Sequence, residues 1–554
     1  TMRGEQTALT IASYHGRDEV IELLIAAGAD PDSATETGAS ALRLAAGQGH
    51  LETVALLLDH GSNVEIADKA GRRPLHSAAN AGHHEIVAFL LDQGAAANAI
   101  AKSGNTALVV AAFRGHTETV RTLLARGTDP TILRPEGKSP LYYAATGGHV
   151  ETLRLLTQAD GNIDRMADDG RTALKGATLG GHAEVVSFLL DSGADPDQAS
   201  GDGLTPLMYA ARSGHLEIAA LLVDRGARTG MVSNGLAPLC FAATKGQDEM
   251  VRFLLQHGAP VNSVGTVWGT ALTHATQAGK VKTAGVLLNH GASVDLADRK
   301  GATPLMHAAA YGKVDVVRLL LARGAKTEGE DHLGRGLLHW AASGGEVEVA
   351  KLALELGSDV MVRSNCGETP LMYAAWKGHA EMVRFLLSRG AKADATDAFG
   401  RTALFRAADA GHAEAVKALL EAGADPNHYS EAHFSGIGAA AEDGHEDVVR
   451  TLLDHGVPAN GVRGDVPLVR AAGEGHEGVV RLLLGRGADV EKRKANRFSA
   501  LGAAAIDGHL GTVRLLLSAG AEIEGPAGVW CRAPLMLAAG KGHVDTVRLL
   551  LDSG

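Results

Sequence analysis

Apolar residues recur along this chain in a fixed pattern. In Glu381-Met382-Val383-Arg384-Phe385-Leu386-Leu387 an acidic start leads into an apolar stripe at helical spacing, and Gly390 closes the run. Ahead of it, Thr369-Pro370-Leu371 and the small pair Ala374-Ala375 predict a shorter helix. Its Thr supplies a cap, its Pro fits the first turn, and its alanines allow tight packing. A Gly followed by His separates the two helices. The residue two before the fixed apolar position falls at 7, 40, 73, 106, 139, 172, 205, 237, 270, 303, 336, 369, 402, 435, 466, 499 and 533, which gives seventeen units with a 33-residue period. Ser or Thr holds this landmark in twelve units.

The distance from landmark to final Gly is 21 residues in sixteen of the seventeen units. The irregular spacings of 31, 32 and 34 therefore lie in the Gly- and Asp-rich links between units, where hairpin-like loops absorb them. No single unit can bury its apolar face alone, so stability must come from stacking.

The T-P-L-x-x-A-A-x-x-G-H run and the L-L-x-x-G-A-D run that closes each unit resemble the ankyrin repeat family across essentially the whole chain. That resemblance implies an all-α fold: a single continuous α-solenoid over residues 1–554, built of stacked antiparallel helix pairs with hairpin-like loops at right angles. It also implies a concave face of hairpin tips and first helices that commonly binds other proteins. Two departures predict softer joints. Near residues 157–165, Thr157 replaces a core Leu and Asp160 takes the Gly position, where a left-handed backbone is usual. Near 428–465, the unit opens Ser435-Gly436-Ile437-Gly438 and its outgoing link is two residues short. Each helical Gly costs about 1 kcal/mol relative to Ala. The array starts almost at Thr7 and stops at Gly554 without polar capping units, which leads us to expect a fragment of a larger protein.

Composition narrows the function classes. Apolar residues make up 45% and aromatics 4%, with only 16 prolines, so the chain is too apolar for disorder and suited to close helix stacking. No stretch approaches the roughly 18 uninterrupted apolar residues of a membrane helix, so no membrane insertion is expected. A formal charge of -12 disfavours nucleic acid and anionic surfaces. Cys240, Cys366 and Cys531 are far apart and form no CxxC pair, and no N-x-S/T acceptor occurs. These features lead to an expected intracellular, cytoplasmic address.

Catalytic chemistry finds little support. Of 25 histidines, twelve sit in the Gly-His step and four precede the final Gly, and these sixteen read as scaffold. His274, His307 and His339 lack an accompanying carboxylate cluster, so no metal is expected. Gly137-Lys138-Ser139 lacks the upstream Gly of a phosphate loop, and no cofactor is expected. A basic row on the second helices, Arg318, Lys351, Arg384, Lys417, Arg450, Arg481, Arg514 and Arg548, reads as a solvated face paired with acids such as Asp315 and Glu381.

The stronger candidate surface lies on the first helices. Two residues after the fixed Leu stand Tyr143, Tyr209, Phe241, His307, Trp340 and Tyr373, and just before the Gly stand Phe113, Arg114, Arg212, Lys245, Tyr311, Trp376 and Lys377. Aromatic and Arg side chains are the usual anchors of protein interfaces, although such rings could also merely fill space between stacked helices. In later units the same positions turn acidic, with Asp409, Glu442, Asp443, Glu474 and Asp507. The expected partners are other proteins, held as extended or helical segments with apolar anchors and some negative charge over units four to twelve, with a basic continuation over units thirteen to sixteen. Tyr209, Trp340, Tyr373 and Trp376 are expected to be removable without unfolding. Two competing roles are a structural spacer or elastic solenoid without a specific ligand, and the recognition domain of a multidomain enzyme or receptor. The soft joint near 428–465 predicts faster backbone hydrogen exchange there than in neighbouring units, and uniform protection would remove it.

Overall fold

The computed structural model describes residues 7–265, 269–430, 435–493, 498–524 and 533–554. It forms two compact units, Thr1–Thr266 with repeats 1 to 8 and Val267–Gly554 with repeats 9 to 17. Among the described residues every repeat contributes two helices, 34 in all, and there is no strand. First helices have seven or eight residues. Second helices have nine, except for one of eleven in repeat 5.

The landmark starts each first helix. In eleven repeats its Ser or Thr hydroxyl accepts the N–H three residues on, as Thr205 does from Met208, which satisfies a donor the helix leaves unpaired. Where Arg73 and Gly336 stand at the landmark, the ring Nδ1 of His76 and of His339 accepts the landmark N–H, each at 3.2 Å.

The Gly-His step does more than end the helix. Gly115 adopts φ 75°, and a Cβ placed on it would strike the ring of His149 in the following repeat. That ring can sit there only because Gly115 has no side chain. His149 Nε2 then donates to the Phe113 carbonyl at 3.1 Å, across the joint between repeats. His182 to Thr146 and His379 to Ser343 repeat the bond, both at 3.0 Å. Beside this latch the alanine pairs of successive first helices, such as Ala78-Ala79 and Ala111-Ala112, are fully buried.

The hairpin loops are tied to one another as well. Asp68 Oδ1 accepts the N–H groups of Ala70 and Arg72 at 2.9 and 2.8 Å, which closes the tip, and the Ala70 carbonyl accepts Lys102 N–H of the next tip at 2.9 Å. Asp331 and Asp397 close their tips in the same way.

The two irregular repeats are built differently from their neighbours. In repeat 5 the second helix runs through to Asp160, and Gly161 takes the left-handed cap at φ 71°, so no Cβ is forced into that conformation. Arg165 Nη2 donates to the buried Asp160 carboxylate at 2.8 Å and fastens the link. In repeat 14, residues 431–434 lie outside the described residues. Among those described, the Ser435 amide and hydroxyl donate to Asp465 Oδ2 at 2.8 and 2.6 Å, so the shortened link is tied back to the start of the repeat's first helix, Gly436–Glu442. A Cβ on Gly438 would fall on that carboxylate, and the helical glycine is therefore required there.

A helical Gly→Ala change ordinarily stabilises by about 1 kcal/mol. Gly285→Ala, with open space around the new methyl group, should gain roughly that amount, whereas Gly438→Ala should lose stability. Urea unfolding of both variants checks the contrast, and a stabilised Gly438→Ala would refute the role given to Asp465.

Candidate partner-binding surface on the first helices

In the first unit, Phe113 ends the helix Ala107–Arg114 with its ring exposed. It meets Tyr143 edge-on, with centroids 5.8 Å apart and planes at 87°. Arg134 donates to the Tyr143 hydroxyl at 2.7 Å, and its guanidinium lies 5.5 Å over that ring. Arg114 lies 5.9 Å from the Phe113 ring and donates to Asn80 Oδ1 at 3.3 Å. The fold thus gathers Phe113, Arg114 and Tyr143 into one patch.

Tyr209 sits differently. It is buried, its hydroxyl donates to Asp202, and Lys175 Nζ lies 4.2 Å over its ring. Lys175 also donates to Ser200 Oγ at 2.6 Å. Burial and the bond to Asp202 push the Tyr209 phenol up to about 12. Burial would raise the Asp202 carboxyl, but the Tyr209 and Ser200 hydroxyls outweigh it and hold that acid well below the usual range. Phe241 is half-buried against Leu204, Met208 and Tyr209, and Arg212 and Lys245 are exposed.

In the second unit Arg335 stacks 4.5 Å over Trp340 and 6.0 Å from the Tyr373 ring. Tyr373 is buried and donates to Glu368 Oε2 at 2.6 Å. Burial and that carboxylate hold its phenol protonated beyond the ordinary range. Arg406 pairs with Glu368 and lies 3.3 Å from Asp397. Trp376 and Tyr311 stand in solvent, and Lys377 Nζ lies 4.0 Å over the Trp376 ring. Arg335, Glu368, Met372, Tyr373, Trp376 and Arg406 line a cleft of about 250 Å³. His307 is buried, 2.8 Å from Asp298 Oδ2 and 3.1 Å from the Gln277 amide, with its ring 5.5 Å from Trp340.

Two of the four rings expected to be removable therefore are not. Tyr209 and Tyr373 are packed between first helices with their hydroxyls bonded, so they fill space, and truncating them would cost stability.

The acidic positions also divide. Glu442 is paired with Arg470, while Asp409, Asp443, Glu474 and Asp507 are exposed. Partial burial and the neighbouring Asp443 raise the Asp409 carboxyl. Glu442, Glu474 and Asp507 border a cleft of about 210 Å³, together with Arg470, Phe498 and Ile506.

A family model of ankyrin repeats, three copies long, matches residues 2–68, 42–134, 110–200, 193–265, 264–331, 333–430, 434–494 and 487–554. The chain belongs to the ankyrin-repeat family. No curated protein sequence matches it. Ankyrin repeats are general protein–protein interaction modules, and the surfaces just described lie on their first helices.

Among the described residues of this ankyrin array, no group of three His, Cys, Asp or Glu side chains is placed to hold a metal ion, and no helix is long and apolar enough to cross a membrane. Cys531 lies outside the described residues. Five residues of the basic row, Arg318, Lys351, Arg384, Arg450 and Arg548, stand in exposed ion pairs, and Arg318 and Arg384 reach Glu348 and Glu414 of the next repeat in place of Asp315 and Glu381.

Sequence reasoning overlooked two features. Arg335 reads as an ordinary turn residue, yet Asp331 holds its Nε at 2.7 Å and so aims its guanidinium at Trp340. Arg43 sits three residues after its landmark, where other repeats bury Val109, Met208 or His339, and it heads a cleft of about 430 Å³ in the first unit. A charge at a core position was the available signal.

His76 and His339 are buried and His274 is half-buried, and desolvation lowers all three, His274 to about 4 with help from His307. Between the ordinary 6.5 and about 4, the unfolded His274 imidazole binds a proton that the folded one does not, so stability falls as pH falls. The urea midpoint should be lower at pH 5 than at pH 7, and His274→Gln should narrow the difference. An unchanged difference would count against this assignment.

Proposed function

We propose that the chain is a non-catalytic, intracellular binding module that holds extended or helical segments of other proteins against its first-helix surfaces. The observation that carries this reading is the pairing of cations with exposed rings: Lys377 over Trp376, which lines the cleft of about 250 Å³, and Arg114 beside Phe113. Such groups give large apolar contact area at low entropic cost and tolerate partial burial by a partner. A molecule serving only as a spacer has no use for exposed Trp376, Tyr311 and Phe113. The exposed carboxylates of Asp409, Asp443, Glu474 and Asp507 suit a basic stretch of a partner, contributing more to orientation and encounter rate than to affinity.

The test replaces the exposed rings and leaves the buried tyrosines alone. Tyr311→Ala with Trp376→Ala in the second unit, and Phe113→Ala in the first, should keep the thermal midpoint and circular dichroism of the wild type. Proteins retained by the wild-type chain in affinity capture should bind these variants more weakly, by about 30-fold for loss of a Trp anchor near 2 kcal/mol. Equal affinity of variants and wild type, measured by titration with a captured partner, would overturn the surface assignment.

A further inference from the structure

The 430 Å³ cleft in the first unit differs in chemistry from the aromatic surfaces. The first helices of repeats 2, 3 and 4 wall it, and it brings the guanidinium groups of Arg43, Arg72 and Arg114 to one opening with no carboxylate in its lining. We propose that this cleft is an anion-recognition pocket that takes the carboxylate side chain of an acidic peptide.

The charge balance supports this. Asp68 stands behind the cleft, 2.8 Å from Arg72 and 3.7 Å from Arg43, so one carboxylate faces two guanidinium groups. Arg114 is bonded to the neutral amide of Asn80 at 3.3 Å. Arg134, whose Nη2 donates to the Ser103 carbonyl at 3.0 Å, is paired with Glu136 at 3.5 Å and leaves the balance unchanged. His76 adds no charge of its own at neutral pH, because burial lowers its pKa, and its Nε2 donates to the backbone carbonyls of Ala99 and Asn105 at 3.0 and 3.1 Å. The opening is therefore left positive within a chain of net charge -12, whose overall field repels acidic ligands.

Arg43 is the group with most to gain from an anion. Its side chain is 14% exposed and donates from Nη1 to Ser77 Oγ at 3.0 Å, and its buried Nε has no hydrogen-bond acceptor among the described residues. Burial lowers its pKa, which is the signature of a charge held at a cost. A second carboxylate in the cleft would offset that cost, and the planar guanidinium fork matches its two oxygens. Leu44 and Val110 offer an apolar wall for the methylene groups of the incoming side chain.

This inference rests on the first helices being a partner surface, but it uses none of the aromatic residues of the second unit. The test is fluorescence anisotropy of the full chain with a labelled Gly/Ser decapeptide carrying a central Glu-Leu-Glu, against its Gln-Leu-Gln counterpart and a phosphoserine-Leu-phosphoserine version. The Glu peptide should bind at least about tenfold tighter than the Gln peptide, and more weakly as salt rises. Tighter binding of the phosphoserine peptide would keep the pocket and assign its anion to phosphate. Arg114→Gln, at an exposed position, should cost about tenfold. Arg121→Gln, which removes the same charge from a second helix, should cost nothing. Arg43→Gln should behave as Arg114→Gln does, and a thermal midpoint reports whether it folds. The Tyr311→Ala, Trp376→Ala variant should leave the anionic peptide unaffected, so the two readings fail separately. Equal binding of Glu, phosphoserine and Gln peptides, or equal losses from Arg114→Gln and Arg121→Gln, would overturn the proposal.

Discussion

Each repeat can bury its small-residue face only against the next repeat, and in the twelve repeats that carry the Gly-His step the latch sets how close that neighbour comes. Gly115 leaves a space without a Cβ, the His149 ring fills it, and the ring nitrogen donates to the Phe113 carbonyl at 3.1 Å. This one arrangement satisfies a carbonyl at a helix end, fixes the spacing of adjacent first helices and seals their alanine pairs from water. It uses few side-chain types, so positions outside it and the capping landmark, fixed Leu, alanine pair and final Gly are left to vary.

What the free positions do depends on whether the stack covers them. The position two after the fixed Leu points between first helices, so Tyr209 and Tyr373 are buried there, and each spends its hydroxyl on a carboxylate of its own loop. The positions just before the Gly lie at the open end of the helix, so Phe113, Tyr311 and Trp376 reach solvent. Side chains that share one helix turn thus divide into wedge and contact surface. In the second unit the wedge Tyr373 and the contact ring Trp376 line the same cleft.

The loops supply charge at chosen points. Asp331 accepts two backbone N–H groups of its own turn, at 2.9 and 3.0 Å, and holds Arg335 Nε at 2.7 Å. Burial opposes ionisation of this carboxyl, but those bonds prevail and keep it an anion. The same interaction that closes the turn therefore places a cation over Trp340. In the first unit Asp68 closes its turn in the same way and also faces Arg43, and its two guanidinium neighbours leave an excess of positive charge at the cleft. Turn closure and surface chemistry are coupled through single carboxylates.

Periodicity made most of the fold legible. The landmark positions, the Ala pairs, the Gly-His step and the terminal Gly repeat at fixed intervals, and local rules of capping and helical spacing place seventeen helix pairs from them alone. Departures from the pattern were visible as sequence, but their meaning was not. Asp160 looked like a strained cap until the helix was seen to run one turn position further to Gly161, with Arg165 holding the carboxylate. Gly438 looked like a cost until Asp465, thirty residues from the serine it binds, was seen against it. The aromatic and basic candidates stand on or at the end of the first helices, yet their spacing alone did not tell that the position of Tyr373 is covered and that of Trp376 open. The sequence by itself determined the repeat, its helices and the face they share, because those follow from interactions within one repeat length. Only the tertiary structure decided which rings are wedges, which carboxylates are spent on loops and where positive charge is left over. Those outcomes depend on how much of each side chain the neighbouring repeat covers, and on partners about thirty residues away.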